Sequence, residues 1–206
     1  MSRYRGPKNR IARKYGANIF GRARNPLLHK PNPPGMHGAK RKKKSDFGVQ
    51  LEEKQKLKAV YGMITNKQLI RSYREALRRP GNTAHNLMTR LECRLDNIVY
   101  RLNFAPTIFA AHQLIAHGHI LVNGKKVDIR SFQVRAGMTI SIKEKSRKMK
   151  LVQTSIESKA HEVPEYLELD SKSFSGKLSS LPESEQIPLP IMINVPLVCE
   201  FLAHTN

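Results

Sequence analysis

Apolar residues at Leu87, Met88, Leu91, Leu95, Ile98, Val99 and Leu102 recur at spacings of one, three and four, which predicts a helix with one buried stripe. Arg90, Arg94 and Arg101 fall off that stripe. Asn103 tolerates the left-handed backbone that ends helices, and Pro106 before Thr107 supplies a break and an N-cap for a second helix. Phe109, Leu114 and Ile115 give that helix an apolar side, and Gly118 ends it. Residues 119–122 and 125–127 then flank Asn123-Gly124, the dipeptide best suited to a type I′ hairpin turn because both positions need positive φ. Met138, Ile140 and Ile142 alternate with Thr139, Ser141 and Lys143, the period of a strand covered on one face. Residues 93–150 therefore form a small α+β module.

Further helices are predicted on either side. Residues 50–61 are rich in Gln, Leu, Glu and Lys and end at Gly62. Thr65 with Gln68 makes a capping box ahead of the apolar face Leu69, Ile70, Tyr73, Ala76 and Leu77, and Pro80-Gly81-Asn82 stops the helix. Arg71, Arg74, Arg78 and Arg79 occupy its other sides. Within residues 191–203, Asn194 can cap and Pro196 can open a short helix whose Leu197, Val198, Phe201 and Leu202 share a face, expected to dock on the early helices. Residues 151–190, acidic and dotted with Ser and Pro, read as short strands and loops extending the module. No internal repeat is present. The domains expected are thus an arm (1–44), a helical domain (45–92, completed by 191–206), the module (93–150) and its acidic extension (151–190).

Charge changes this picture. The formal net charge is +21, distributed unevenly: residues 1–58 hold 17 Lys/Arg against 3 acids, residues 59–150 hold 17 against 5, and residues 151–206 hold 3 against 8. A chain this cationic repels itself, so a neutralising polyanion is expected, and nucleic acid is the leading candidate. An anionic membrane could attract the run Lys40, Arg41, Lys42, Lys43, Lys44, but no stretch approaches the roughly 20 apolar residues of a span, and no amphipathic basic helix accompanies it. The arm carries nine further cations, Arg3, Arg5, Lys8, Arg10, Arg13, Lys14, Arg22, Arg24 and Lys30, among many Gly and Pro. Alone it is expected to be mostly disordered, folding on RNA with Tyr4, Tyr15, Phe20 and His37 available to stack on bases.

Catalysis finds no support. Glu92 and Asp96 sit four apart, yet the cations around them make an ion-paired surface the simpler account. His117-Gly118-His119 lacks the cysteines or carboxylates of a metal set. Cys93 and Cys199 are isolated among apolar neighbours and read as small buried hydrophobes. The first ten residues lack the apolar run of a signal peptide, so the protein is expected to act where it is translated. No cofactor, metal or small-molecule substrate is implied.

Arg94-Leu95-Asp96, residues 111–119, Val122-Asn123-Gly124-Lys125 and Gly137 resemble the S-four RNA-binding domain, which also occurs in RNA-modifying enzymes. Outside it, Arg3-Tyr4-Arg5-Gly6-Pro7, Pro33-Pro34-Gly35-Met36-His37-Gly38, Ser45-Asp46-Phe47-Gly48, residues 50–56, Tyr61-Gly62, residues 163–167, Ile193-Asn194 and Glu200-Phe201 resemble the S-four family of small-subunit ribosomal proteins of bacteria and organelles. The resemblance implies an inserted RNA-binding module and binding to the 5′-domain multi-helix junction of small-subunit rRNA. It also implies a part in nucleating subunit assembly and in translational accuracy. The neighbours implied are ribosomal proteins S-five and S-three and mRNA where it enters the subunit, in the bacterial cytosol or an organelle. Some members hold zinc through N-terminal cysteines; here no Cys precedes Cys93. Tyr166 replaces a usual Trp, Asn103 a usual Gly, and Val195-Pro196 a more polar pair.

The candidate RNA-binding residues are Arg3, Arg5, Lys8, Arg10, Arg13, Lys14, Arg22, Arg24, Lys40, Arg41, Lys42, Lys43 and Lys44 in the arm and its edge. To these are added Lys54, Lys56, Lys58, Arg71 and Arg74 on the helices, and Arg94, Arg101, His117, His119, Asn123, Lys125, Lys126 and Arg130 in the module. Alternatives are a free-standing RNA quality-control factor or an RNA-modifying enzyme, the latter requiring a catalytic Asp in a large further domain.

Overall fold

Ser45 and Thr65 each set the start of a helix: Ser45 Oγ accepts from the Gly48 N–H and Thr65 Oγ1 from the Gln68 N–H, both at 3.3 Å. The computed structural model describes residues 4–22, 24–40, 43–158 and 161–204. In chain order its helices are α1 (Lys8–Tyr15), α2 (Asp46–Val60), α3 (Asn66–Leu77), α4 (Thr83–Glu92), α5 (Leu95–Arg101) and α6 (Ile108–Ala116), followed later by α7 (Glu144–Arg147), α8 (Lys150–Ser158) and α9 (Val195–His204). The strands are β1 (Ile120–Val122), β2 (Lys125–Lys126), β3 (Thr139–Ile142), β4 (Leu167–Asp170) and β5 (Ser175–Leu178). The chain forms two compact units, residues 1–84 with 189–206, and residues 85–188. No helix among the described residues is long and apolar enough to cross a membrane.

In the first unit α9 packs along α2. Asn194 caps α9 by accepting from Leu197 N–H at 3.2 Å, and its own N–H donates to Glu53 Oε2 at 2.8 Å, tying the cap to α2. Val198, Phe201 and Leu202 are buried. The arm is more ordered than its composition suggested: it contains α1, which ends at Gly16 with φ 65°, and it buries Ala12, Ile19 and Phe20. Eight helical residues between glycines and prolines are too few to register against that background, and the burial comes from tertiary packing.

In the second unit the strands form an antiparallel sheet of order β2-β1-β3-β5-β4. The hairpin closes with Val122 opposite Lys125 and with φ of 47° at Asn123 and 76° at Gly124, as the I′ turn requires. Asn123 Oδ1 also accepts from the Thr139 N–H at 2.8 Å, fixing the turn onto β3. Two expectations are corrected. Residues 87–102 are two helices, because Cys93 and Arg94 pair with the segment 130–134: Val134 N–H donates to Cys93 O at 2.8 Å and Leu95 N–H to Phe132 O at 2.9 Å. α4 buries Leu87, Met88 and Leu91, and α5 sends Leu95, Ile98, Val99 and Leu102 into the core of the second unit, so apolar positions recur on both sides of the interruption. Residues 150–158 form α8 rather than a loop, with Val152 and Ser155 turned inward.

Asn103 stands at φ 56°, and its side chain brackets residue 161 by donating to His161 O at 2.8 Å and accepting from His161 N–H at 3.2 Å. Here Asn supplies what a Gly would allow and adds a brace. Gly176 in β5 fits under Leu102: a Cβ there would lie 2.5 and 2.7 Å from the Leu102 methyls and 3.0 Å from Glu168 O. Leu102 is fully buried and has nowhere to go. Gly176→Ala is expected to cost about 1–3 kcal/mol, measured as a lower denaturant midpoint of the full chain; an unchanged midpoint would show that the sheet yields freely.

Candidate nucleic-acid interface

The outward face of α3 carries Lys67, Arg71, Arg74 and Arg78, spaced four, three and four residues apart and all exposed. This spacing puts them in one row along the helix. Arg71 Nε lies 3.1 Å from Glu75 Oε1, an exposed i,i+4 pair of little energetic weight. Lys67 was not among the expected contacts, although the periodicity that locates apolar stripes finds it when applied to cations.

In the second unit cations gather at the hairpin end. Lys125 and Lys126 are exposed on β2, an edge of the sheet, where lysines also discourage edge-to-edge association. The Lys126 side chain lies over Gly118, in space a Cβ would occupy. The His117 and His119 rings stand 6.1 Å apart. Lys143 joins them because β1 and β3 pair Ile120 with Ile142, so that Lys143 N–H donates to His119 O at 2.9 Å. Only that register reveals Lys143. Burial, with His117 and Lys143 nearby, holds the His119 imidazole below its usual pKa, while its Nδ1 lies 2.8 Å from Ser146 Oγ. A phosphate placed here would relieve the crowding of positive charge.

Other expected contacts are corrected. Arg94 and Arg101 are only 4% and 6% exposed. Arg94 makes a two-pronged pair with Asp96, Nε to Oδ1 at 3.0 Å and Nη2 to Oδ2 at 2.7 Å, and Arg101 Nη2 donates to Glu92 Oε1 at 2.8 Å. These pairs lie inside the module, not on its surface. Arg130 is half-buried beside them; its Nη1 donates to His112 Nδ1 at 3.2 Å, which assigns the His112 proton to Nε2, itself 3.2 Å from Asp96 Oδ2. Lys54 is buried over the Phe201 ring, 4.1 Å from its centroid. Burial and the neighbouring Lys58 lower its pKa. Arg13 directs its guanidinium to the Lys30, Asn32 and Pro33 carbonyl oxygens and so fastens the arm's loop.

The remaining expected cations lie at or near the surface. Arg5, Arg10, Lys14, Arg22, Arg24, Lys40, Lys43, Lys44, Arg74, Lys125 and Lys126 are exposed, and Lys8, Lys56 and Lys58 partly so. Lys44 pairs with Glu52 and Lys56 with Glu53, the latter at 2.6 Å. Arg3, Arg41 and Lys42 lie outside the described residues. Among the described residues no group of three or more His, Cys, Asp or Glu is placed to hold a metal ion. Cys199 is half-buried, and burial with Glu200 pushes its thiol up to about 11, which keeps it protonated.

Burial raises the Asp96 carboxyl, but His112, whose Nε2 lies 3.2 Å from Oδ2, and the charge and hydrogen bonds of Arg94 outweigh this, leaving its pKa below normal. A depressed folded-state pKa stabilises the fold above the unfolded value and loses that stabilisation as pH falls through it. Unfolding titrations of wild type and Asp96→Asn should therefore differ in pH slope below about pH 4 and run parallel above about pH 5. Parallel curves throughout would remove Asp96 from the account.

Comparison with known proteins decides the family. Residues 3–92 match the Ribosomal protein S4/S9 N-terminal domain, and residues 93–140 match the S4 domain. The Small ribosomal subunit protein uS4 of Protochlamydia amoebophila (strain UWE25) is 66% identical over 206 residues, covering 100% of both chains. Its counterparts from Chlamydia muridarum (strain MoPn / Nigg) and Chlamydia trachomatis (serovar D) are 63% and 62% identical over 207 aligned positions, with 99% of each chain covered. The chain belongs to the uS4 family. It is accordingly a structural protein of the small ribosomal subunit, with RNA-binding domains, and not an enzyme. The cationic row on α3 falls within the first matched domain and the hairpin within the second, whereas Lys143, β4 and β5 lie beyond both matches in this uS4 chain.

Proposed function

We propose that the chain binds the 5′-domain multi-helix junction of small-subunit rRNA and, by fixing the angle between RNA helices, nucleates subunit assembly. The observation that carries this is the presence of two separate exposed cationic faces: the row on α3 and the hairpin end with Lys125, Lys126 and Lys143. Each compact unit can neutralise phosphates of its own stretch of RNA, so one chain holds more than one helix. The arm cations outside the Arg13 clamp add to the positive charge of the first unit. On this reading the protein sits in the cytosolic small subunit beside ribosomal proteins S-five and S-three, lines the channel through which mRNA enters, and so influences translational accuracy.

Chemical footprinting of small-subunit rRNA with and without the full chain tests the reading. Protection of several helices meeting at one junction is expected, with stoichiometric residence in the small-subunit peak of a sucrose gradient. Protection confined to a single hairpin, or a free or substoichiometric pool, would instead indicate a quality-control factor.

A further inference from the structure

A cavity of about 670 Å³ lies in the first unit, between α1, the loop following it and one face of α2. Its lining combines features that one chemical class satisfies together. Leu51 and Met63 give it an apolar side, Tyr15 and His37 contribute flat rings, and Gln55 brings an amide with both donors and an acceptor. Lys14, Lys40 and Lys44 add positive charge, and the one acid, Glu52, is paired with Lys44.

The cavity is built rather than incidental. Arg13 holds the loop by donating to Lys30 O and Asn32 O, both at 3.0 Å, and Gly38 is required where a Cβ would collide with Pro33 O. Gly48, without a side chain, leaves the wall open near the start of α2. Lys14 Nζ stands 5.3 Å from the Tyr15 ring centroid, so ring and cation are presented together. Burial, then Glu52 and Glu53, push the Tyr15 phenol up to about 12, which keeps its O–H as a donor at neutral pH.

A flat, polar-edged ring bearing an anion fits this set, and the volume lies within the range of small-molecule sites. We propose that the cavity receives one unpaired nucleotide of small-subunit rRNA, its base packed against the Tyr15 and His37 rings and its phosphate held by Lys14 and Lys40. This rests on the rRNA-binding reading above and adds to it a site that reads an extruded base, where the α3 row and the hairpin meet only backbone. Recognition of unstacked bases by aromatic side chains is the usual way in which proteins distinguish single-stranded positions in RNA.

The test is nucleotide-resolution chemical probing of small-subunit rRNA alone, with the full chain and with its Gln55→Trp variant. Gln55 is half-buried on α2, so an indole there fills the cavity without removing core packing. The wild type should protect one unpaired base. Gln55→Trp should leave that base as reactive as in free rRNA, keep the rest of the footprint and weaken binding about tenfold. If Gln55→Trp melts below the wild type, Tyr15→Leu carries the same comparison. Identical reactivity of every unpaired base with wild type and variants overturns the inference while leaving rRNA binding intact. Absence of any wild-type footprint overturns the rRNA reading itself. Adenosine monophosphate separates a free nucleotide from an RNA one: shifts of cavity resonances by the mononucleotide, with no base protected in rRNA, would also overturn the proposal.

Discussion

Raising monovalent salt from about 50 to about 200 mM should weaken binding of the full chain to small-subunit rRNA by about 10³-fold or more. The magnitude follows from how many cations reach solvent. Lys67, Arg71, Arg74 and Arg78 on α3, Lys125 and Lys126 on the hairpin, and Arg5, Arg10 and Lys14 in the arm are all exposed. Six or more phosphate contacts drawn from such a set release enough counterions to give that slope. Replacing Lys125 and Lys126 together by Ala should reduce the log–log slope by about two and weaken binding to all RNA sequences alike. Filter binding across a salt series measures both, and a flat response would contradict the electrostatic account.

Glu92→Ala should be the most damaging single substitution in the second unit. Glu92 is fully buried and accepts from Arg101, which is itself 6% exposed. The Tyr166 hydroxyl beside them is held protonated, first by burial and then by the Glu92 charge. Removing the carboxylate leaves the Arg101 charge in the interior, and breaking a buried pair in this way costs about 3–5 kcal/mol. Chemical denaturation should show that loss, and Glu92→Ala with Arg101→Leu should recover much of it, because no uncompensated charge then remains. A single variant as stable as the wild type would mean that water reaches Arg101.

The hairpin, both caps read at Thr65 and Thr107, and the stops at Asn103 and Gly118 were legible because each is written locally. Thr107 Oγ1 accepts from Ala110 N–H at 3.2 Å, and Asn103 and Gly118 stand at φ 56° and 71°. The break between α4 and α5 was not legible, since its cause is pairing with residues some forty positions later. The same limit explains Arg94 and Arg101. Their distance from the apolar stripe suggested solvent, but acids at residues 92 and 96 draw them inward, and only tertiary structure shows which arginines are enclosed. Arg13 and Lys54 misled in the same way: composition counts cations, whereas carbonyl oxygens and an aromatic ring had already engaged these two.

The tie between Asn194 and Glu53, together with the packing of α9 on α2, makes the first unit discontinuous in the chain. In chain order the whole of residues 85–188 is synthesised before α9 exists. The inserted unit is contiguous and draws all its strands from residues 85–188, so it needs no later segment to complete it. The helical unit must wait for its closing piece, so its nascent cationic segments meet the cell's RNA before their lid is made.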